Sequence, residues 1–485
     1  MKTDKITDKY RSLPVQVRAS FWFLVCSFLQ KGIAVVTTPI FTRIMSAADY
    51  GQFGVFKSWY GIVTIVVGLS LTSGVHIQGL VKFDKDRDLF SSSLQGLSTS
   101  LILSGLLVYL LFRNFWNQIL SLSTLQMLCM FAIIWSVASF GFWANEQRVK
   151  YAYKSLVVVT LISAIVAPML EIILVLHSED KATAMIVGWA ISSFLCFGWT
   201  FVWRMRHNGT FFLGRFWKYA LLFNIPLVPH YLSQTVLNSA DRIMIQRMVG
   251  DSEAGIYTLA YSVALLMLLF NSSLLQALNP WIYQKIKEKR ETDIAPAAYS
   301  TMLLVAGVNL FLILLSPEAV AVFAPKEYYD AIWIIPPVAI SVYFIYIYDL
   351  FAKFAFYYEK TVAIMLASVV GAVLNIVLNA LFIPKFGYMA AGYTTFACYL
   401  VYAAAHYLFM LRVCRKYCEG RYPYDTGKIV AITFAFVLVG LLLLTTYRHT
   451  VVRYVILAAF FVGAIAYRQQ IAASVRGVLK MNKTE

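Results

Sequence analysis

Charged residues are scarce in this chain. Asp, Glu, Lys and Arg make up only 13% of its 485 residues, whereas apolar residues make up 60%. Soluble domains carry about 25% charged and about 45–50% apolar residues. A soluble fold of this length could not bury such an excess, and the mean hydropathy of +0.70 agrees. The composition therefore excludes soluble enzymes, nucleic-acid-binding domains and disordered chains, and we expect no nucleic-acid partner.

Cysteine and enzyme motifs are also sparse. The six cysteines are scattered, and their spacing matches neither a metal site nor a disulfide framework, which excludes a secreted disulfide scaffold. The chain has no Walker loop, no nucleophile elbow and no HExxH motif. We therefore expect no enzymatic activity, no cofactor and no metal. The polar N-terminal segment has no signal-peptide pattern.

Long apolar runs separated by short charged breaks dominate the sequence. A membrane-spanning helix needs about 20 apolar residues, so fourteen helices would occupy about 280 residues. The sequence thus predicts an all-α polytopic membrane protein without an extramembrane domain. The predicted spans are 19–41, 53–75, 90–112, 124–144, 155–176, 183–203, 216–240, 255–279, 300–323, 332–352, 361–383, 389–411, 428–446 and 451–467.

The distribution of Lys and Arg predicts the orientation of these spans. If the N-terminus is cytoplasmic, 30 of the 41 basic residues fall in cytoplasmic segments, nine fall outside and two fall within spans. Basic residues are enriched in the cytoplasmic segments of membrane proteins, so this bias favours fourteen spans with both termini inside.

An internal repeat with an offset of 204 residues supports two similar halves. The offset places Arg43 on Arg247 and Gln30 on Gln234, and it also pairs Asp49 with Glu253, Gly51 with Gly255, Phe53 with Tyr257 and Ser58 with Ser262. Six spans separate the copies, so both have the same orientation, as in a parallel repeat about an axis along the membrane normal. The predicted organisation is an N-tail 1–18, an N-lobe 19–203, a linker 204–215, a C-lobe 216–411, two further helices with their preceding loop 412–467, and a C-tail 468–485.

Polar residues recur in the seventh predicted span. His230, Gln234, Asn238 and Arg242 follow one another at intervals of four, and Asp241 precedes the last. On a helix these residues share one face, and such a face is costly in hydrocarbon. Helix–helix hydrogen bonding is one interpretation. The other is a water-accessible cleft between the lobes.

Lys31 lies near the middle of the first span, beside Gln30. A central lysine costs about 2.5–3.5 kcal/mol even on insertion scales. It is either a partnered structural lysine or a cation for an anionic substrate. Lys57 in the second span could instead extend to the membrane surface. The arginines at the outer ends of the first and seventh spans could bind substrate, cap helices or contact lipid phosphates; they are Arg43, Arg242 and Arg247.

Few acidic residues lie inside the spans. Glu171, Asp241 and Asp349 could each bind a coupling proton or cation, as intramembrane carboxylates do in transporters. A local ion pair, such as one between Asp241 and Arg242, is the alternative for each.

Three groups of motifs carry a resemblance to a known family. They are Phe41-Thr42-Arg43 with Asp49-Tyr50-Gly51-Gln52-Phe53; Ser239-Ala240-Asp241-Arg242 with Ala254-Gly255-Ile256-Tyr257; and Asn375-Ile376-Val377-Leu378-Asn379 with Ile383-Pro384 and Phe386-Gly387-Tyr388-Met389-Ala390-Ala391-Gly392. The last motif departs from the usual Gly-Ala-Ala order because Gly392 comes last. The chain resembles the lipid-linked oligosaccharide (O-antigen) flippases of the polysaccharide-transporter family, within the multidrug/oligosaccharidyl-lipid/polysaccharide exporter superfamily.

The resemblance implies a two-lobed transporter of the bacterial cytoplasmic membrane. It implies that the protein flips undecaprenyl-pyrophosphate-linked glycans by alternating access, among membrane lipids and with polysaccharide polymerase and chain-length proteins as candidate partners. A dense anion such as pyrophosphate suits the basic residues of the predicted cleft. The alternatives are an ion-coupled multidrug exporter of the same superfamily and a non-transporting scaffold for polymer assembly.

The predicted topology can be tested with reporter fusions. Because the charge bias places both termini inside, fusions after residues 150, 212 and 420 should report a cytoplasmic location. Fusions after residues 181 and 327 should report an external one. Opposite results at two of these five positions would contradict the fourteen-span topology.

Overall fold

The computed structural model describes residues 15–466. Within that range, nothing is stated of twelve side chains, at positions 16, 17, 20, 24, 27, 31, 34, 208, 277, 361, 363 and 464. The described residues form nineteen α-helices and five short 3-10 helices, with no β-strand among them. The predicted all-α class is therefore confirmed.

The chain divides into two compact units, one ending at Thr235 and the other beginning at Val236. The first unit holds ten complete helices: α1 Val15–Ile44, α2 Ala47–Gly68, α3 Gly74–Lys82, α4 Arg87–Leu111, α5 Arg113–Leu120, α6 Thr124–Val149, α7 Tyr153–Leu176, α8 Lys181–Phe197, α9 Trp199–Asn208 and α10 Gly214–Asn224. Helix α11, Val228–Met248, contains the division between the units.

The second unit contains eight further helices. They are α12 Asp251–Lys287, α13 Ile294–Leu314, α14 Ser316–Phe323, α15 Ile335–Tyr357, α16 Thr361–Phe386, α17 Ala390–Tyr417, α18 Thr426–Leu444 and α19 Thr450–Ala466. Helix α15 is the most enclosed of the long apolar helices: 83% of its most apolar segment is buried, against 28% for the corresponding segment of α18. The second unit is thus built around α15.

Local sequence signals place several helix ends. Ser46 begins α2 with a capping box: its hydroxyl accepts from the Asp49 N–H at 3.1 Å, and the Asp49 carboxylate accepts from the Ser46 N–H at 3.2 Å. Ser123 and Gln126 form the same motif at α6. These reciprocal bonds satisfy backbone donors that a helix N-terminus leaves free. Between α16 and α17, Gly387 has a φ of 73°, a conformation that favours glycine.

Eleven of the described helical segments are long and apolar enough to cross a membrane. Three of the fourteen predicted spans lie outside this set. The second corresponds to α2, which carries Asp49 and Lys57, and the fourteenth to the shorter apolar segment Thr450–Gly463. The seventh is divided, because Ile225–Leu227 forms a 3-10 turn around Pro226 before α11 begins. Proline lacks an N–H donor, which explains this interruption.

The helix boundaries follow the 204-residue offset where the repeat is strongest. Helix α1 ends at Ile44 and α2 begins at Ala47, while α11 ends at Met248 and α12 begins at Asp251. Arg43 and Arg247 are each the penultimate residue of their helix. The predicted lobe boundaries and the pseudo-twofold arrangement of the lobes stay predictions.

A buried ion pair joins two helices of the first unit. Arg204 of α9 donates to the Glu146 carboxylate of α6, and the two residues are 0% and 2% exposed. Nearby, His76 of α3 is hydrogen-bonded to the Ser91 hydroxyl at 2.9 Å. Burial and the positive charge of Arg204 lower the pKa of His76 to about 3, so this imidazole is neutral near pH 7.

We expect Glu146→Gln to lower the free energy of unfolding by about 3–5 kcal/mol, because it leaves the buried guanidinium of Arg204 without a counter-charge. The double replacement of Glu146 and Arg204 by Met should be less harmful, since both charges are then removed. Thermal unfolding of the purified protein in detergent measures both effects.

The matched control is Asp88→Asn, which removes an exposed ion pair with Lys150 at 3.3 Å. Exposed pairs contribute about 0–1 kcal/mol, so this variant should unfold almost like the parent. Equal melting temperatures for Glu146→Gln and Asp88→Asn would show that the buried pair has no special role.

Candidate functional site

Asp241 is the most enclosed of the three predicted coupling carboxylates. It lies on α11 and is 1% exposed. Its Oδ2 atom accepts hydrogen bonds from Tyr257 Oη at 2.5 Å and Thr395 Oγ1 at 2.7 Å, and its Oδ1 accepts from Asn379 Nδ2 at 2.6 Å. The donors come from α12, α17 and α16. One carboxylate therefore joins four helices of the second unit.

A second layer of amides and hydroxyls holds these donors in place. Thr394 donates to the amide oxygen of Asn379. Asn375, one turn earlier on α16, donates to Thr395 Oγ1 and accepts from Asn379 Nδ2, each at 3.3 Å. All of these side chains are at most 5% exposed. Asn379 and Thr395 are thus each oriented by a hydrogen-bonded neighbour, whereas the ring of Tyr257 is fully buried and is held by the side chains packed around it.

Asn238 lies one turn before Asp241 and is a second residue of α11 that is hydrogen-bonded to two other helices. Its Oδ1 accepts from Tyr399 Oη at 2.8 Å and from Tyr261 Oη at 3.1 Å. The Arg242 guanidinium carbon lies 4.6 Å from the centroid of the Tyr261 ring, within cation–π range. Asn238 and Arg242 of the predicted polar stripe therefore contact the aromatic residues of α12 and α17.

The Asp241 carboxylate accepts these hydrogen bonds from neutral groups. Its donors are the hydroxyls of Tyr257 and Thr395 and the side-chain amide of Asn379. Carboxylate, amide and hydroxyl oxygens are the ligands that hard cations prefer. No group of three or more His, Cys, Asp or Glu side chains that could hold a metal occurs in the described part of the chain.

Lys57 and Glu171 interact in the first unit. The positive charge of Lys57, on α2, acts on the Glu171 carboxylate of α7. The ammonium also lies 5.8 Å from the Phe53 ring centroid. Helix α8 approaches closely here, because a Cβ atom on Gly188 would lie 2.8 Å from the Cα of Glu171. One predicted substrate cation and one predicted coupling acid are therefore neighbours.

Aromatic rings surround Trp189 beside this pair. The centroid of its ring lies 4.9 Å from that of Tyr60, 6.0 Å from that of Phe56 and 6.2 Å from that of Phe53. The cluster joins α2 to α8 and supports the turn of α2 that carries Lys57.

The remaining predicted cations have separate positions. Arg43 is exposed and donates to the Pro39 carbonyl oxygen of its own helix at 2.8 Å. Arg247 is exposed near the end of α11. Gln30 is exposed on α1, whereas the side chain of Lys31 lies outside the described part of the structure.

The polar stripe of α11 is divided between the two units. His230 and Gln234 are half-buried in the first unit, and Asn238 and Arg242 are half-buried in the second. The predicted cleft shared with Lys31 stays a prediction.

Asp349 has a local partner. Its carboxylate lies 2.7 Å from Lys353 Nζ, one turn further along α15. This is the ion pair that the sequence left open as the alternative to ion coupling. A coupling role for any of the three acids stays a prediction.

The residues that surround Asp241 carried no functional assignment from the sequence. Asn375 and Asn379 belong to a family motif, and Tyr257 belongs to both a family motif and the repeat. The signal that could have identified them is the pair of asparagines four residues apart inside an apolar run, because buried amides require partners. The hydroxyls of α17 carried no comparable signal, since threonine is common in membrane helices.

Two family sequence models match the chain. One, described as polysaccharide biosynthesis protein, matches residues 17–286, and the other, described as MatE, matches residues 226–381. An uncharacterized membrane protein of Haemophilus influenzae is 20% identical over 364 residues, which are 74% of this chain and 88% of the relative. Lsg locus putative protein 1 of the same organism is 25% identical over 166 residues, 33% of this chain and 40% of the relative.

Solved structures show the same fold at low sequence identity. The lipid II flippase MurJ, in an inward closed conformation, has a TM-score of 0.70 and 14% identity, over 92% of this chain and 99% of MurJ. An inward-facing multidrug resistance MATE family transporter of the MOP superfamily has a TM-score of 0.61 and 14% identity, over 79% of this chain and 95% of that one. The long apolar helices and the match to more than half of the sequence lead to one conclusion. This chain belongs to the polysaccharide biosynthesis protein family, as a multi-pass membrane protein whose fold is similar to those of MurJ and the MATE family transporter.

Proposed function

We propose that the protein flips an undecaprenyl-pyrophosphate-linked oligosaccharide across the bacterial cytoplasmic membrane by alternating access. The observation that carries this proposal is the match of residues 17–286 to the polysaccharide biosynthesis family. Its fold likeness to a lipid II flippase supports a lipid-linked substrate. The cargo is the repeat unit of an O-antigen, capsule or exopolysaccharide.

The substrate-binding residues in this proposal are mainly cations, because the cargo carries a pyrophosphate. Lys31 is the principal contact, since a lysine at the centre of a span requires an anionic or hydrated partner. Lys57, Arg242 and the helix-end residues Arg43 and Arg247 contribute further positive charge. Gln30, His230, Gln234 and Asn238 supply hydrogen bonds to phosphate or sugar.

Lys57 has a conditional role in this scheme. Its positive charge acts on the Glu171 carboxylate while no anion is present. A pyrophosphate near Lys57 would compete with Glu171 for the ammonium. Glu171 then provides a second place where proton uptake can accompany substrate binding.

The coupling cation, a proton or a sodium ion, is assigned to Asp241 in this proposal. Four helices meet at its carboxylate, so a change in its charge would be transmitted to α11, α12, α16 and α17 together. Neutralising a buried carboxylate removes most of the cost of keeping it in an apolar interior. Cation binding there would thus change which packing of the second unit is stable.

A second function, ion-coupled drug export, is favoured by one observation. The MatE model matches residues 226–381, the segment that includes Asp241. Cationic drugs would require acidic residues facing the substrate, whereas the predicted cleft is lined mainly by basic residues. A non-transporting scaffold would not require a polar stripe in a membrane helix.

The cellular setting follows from the same proposal. The protein would lie in the inner membrane with both termini in the cytoplasm, consistent with the bias of basic residues. Polysaccharide polymerase and chain-length proteins, which handle the flipped repeat unit, are the proposed partners.

Transport by Lys31 variants tests the flippase proposal. In vesicles that contain the purified protein and a fluorescent lipid-linked oligosaccharide, Lys31→Ala should reduce flipping at least tenfold. Lys31→Arg should retain more activity than Lys31→Gln, because arginine keeps the charge but not the shape of the ammonium. A chemical quencher added outside the vesicles measures the flipped fraction.

Lys154→Gln is the matched control, since it removes an exposed lysine at the start of α7. It should flip the oligosaccharide like the parent. Parent-level flipping by Lys31→Gln at equal reconstitution would refute the phosphate-binding role, and export of cationic drugs without any oligosaccharide flipping would favour the second function.

The ion-coupling assignment is tested separately with imposed gradients. In the same vesicles, Asp241→Asn should abolish the dependence of flipping on a proton or sodium gradient, because the amide has no charge to neutralise. Asp349→Asn, the control, should keep that dependence, since Asp349 is paired with Lys353. If Asp349→Asn loses the gradient response and Asp241→Asn keeps it, the assignment is wrong.

A further inference from the structure

An apolar groove lies in the second unit, away from Asp241 and its ring of donors. It has a volume of about 550 Å³ and is open on one side. Helix α15 forms its floor, and α17 and α18 form its walls. We call it the α17–α18 groove; its main lining residues are Phe344, Phe351, Leu400, Leu408, Val430 and Val437.

The few polar groups along the groove are already paired. Tyr407 Oη and Thr426 Oγ1 are hydrogen-bonded to each other at 2.6 Å and join α17 to α18 at one end. Thr433 Oγ1 is hydrogen-bonded to Tyr343 Oη at 3.1 Å. A polar ligand or a peptide backbone would therefore find no free partner there and would lose its own hydrogen bonds. A hydrocarbon chain has no such cost.

The length of the groove matches one leaflet of a bilayer. Its lining on α17 runs from Phe396 to Leu408, and these thirteen residues span about 18 Å along the helix, at 1.5 Å for each of the twelve steps. Half of the hydrocarbon core of a bilayer is about 15 Å thick. The three helices of the groove are all among the long apolar segments. The groove thus has the length and the surroundings of a single acyl chain.

Two arginines lie on the groove-facing side of α17, beyond the end of the groove where Tyr407 and Thr426 are hydrogen-bonded. Leu400, Ala404 and Leu408 are spaced four residues apart, and the same stripe reaches Arg412 and then Arg415. Both arginines are exposed, and neither has an ion pair in the part of the chain that the structure describes. The segment 412–428 holds five basic residues and is predicted to be cytoplasmic.

We propose that the α17–α18 groove binds one acyl chain of an anionic glycerophospholipid from the cytoplasmic leaflet, and that Arg412 and Arg415 pair with its phosphate. An arginine can bind phosphate with two parallel hydrogen bonds, and an anionic headgroup adds attraction that a zwitterionic one lacks. The lipid is a resident ligand that packs α18 against α17. It is distinct from the proposed cargo.

Native mass spectrometry of the purified, delipidated full chain tests this site. Phosphatidylglycerol and phosphatidylcholine with identical acyl chains are titrated separately. The parent should bind one phosphatidylglycerol at least tenfold more tightly than phosphatidylcholine. Ala404→Trp should abolish this tight binding, because the indole occupies the groove.

Ala405→Trp is the matched control: Ala405 is an exposed neighbour that does not line the groove, so this variant should bind like the parent. Joint replacement of Arg412 and Arg415 by Gln should reduce the preference for phosphatidylglycerol to less than threefold and leave phosphatidylcholine binding unchanged. Arg206→Gln, which removes an exposed arginine of the first unit, should have no effect.

Three results would overturn the proposal. Equal affinity of the parent for the two phospholipids would remove the role of the arginines. Identical binding by the two tryptophan variants would place the lipid elsewhere. Displacement of phosphatidylglycerol by equimolar undecaprenyl phosphate would assign the groove to a polyprenyl chain. None of these results depends on flipping activity, so the site and the proposed function can fail separately.

Discussion

An ionised carboxylate inside a membrane protein must be hydrogen-bonded or neutralised, because hydrocarbon offers it no partner. Asp241 meets this requirement with donors from α12, α16 and α17. The positions of these helices in the second unit therefore depend on one side chain of α11. A change in the charge of this carboxylate would alter all three hydrogen bonds at once.

The first unit solves the same problem with paired charges. Glu146 and Arg204 compensate each other deep inside, and the neutral His76 network lies beside them. Each buried ion requires the other, because both have lost their hydration. The cost of that loss offsets most of their attraction, so the pair adds little net stability. Glu171 and Lys57 interact less directly: the positive charge of the exposed Lys57 acts on the Glu171 carboxylate.

Apolar residues cover much of the outer surface, as a lipid environment requires. Large side chains such as Leu111, Phe212 and Val451 are 62–77% exposed. The α17–α18 groove interrupts this surface, and its polar groups are paired with each other. In water such a surface would cause aggregation. In a bilayer such a surface contacts acyl chains of matching polarity, which connects the composition of the protein to its lipid environment.

The sequence by itself determined the all-helical class, most of the long helices and the two helix ends at Arg43 and Arg247 that the 204-residue offset relates. It could do so because hydrophobic run length, caps and helix periodicity are local properties. It also identified Asp241 as a carboxylate inside a predicted span, where it requires hydrogen-bonding or charged partners. Only the tertiary structure decided which residues are those partners. Tyr257, Asn379 and Thr395 are separated from Asp241 by between 16 and 154 residues, and no local pattern brings them together. The pairing of Asp349 with Lys353 was accessible from their spacing, whereas the enclosure of Asp241 by three other helices required the contacts of the folded unit.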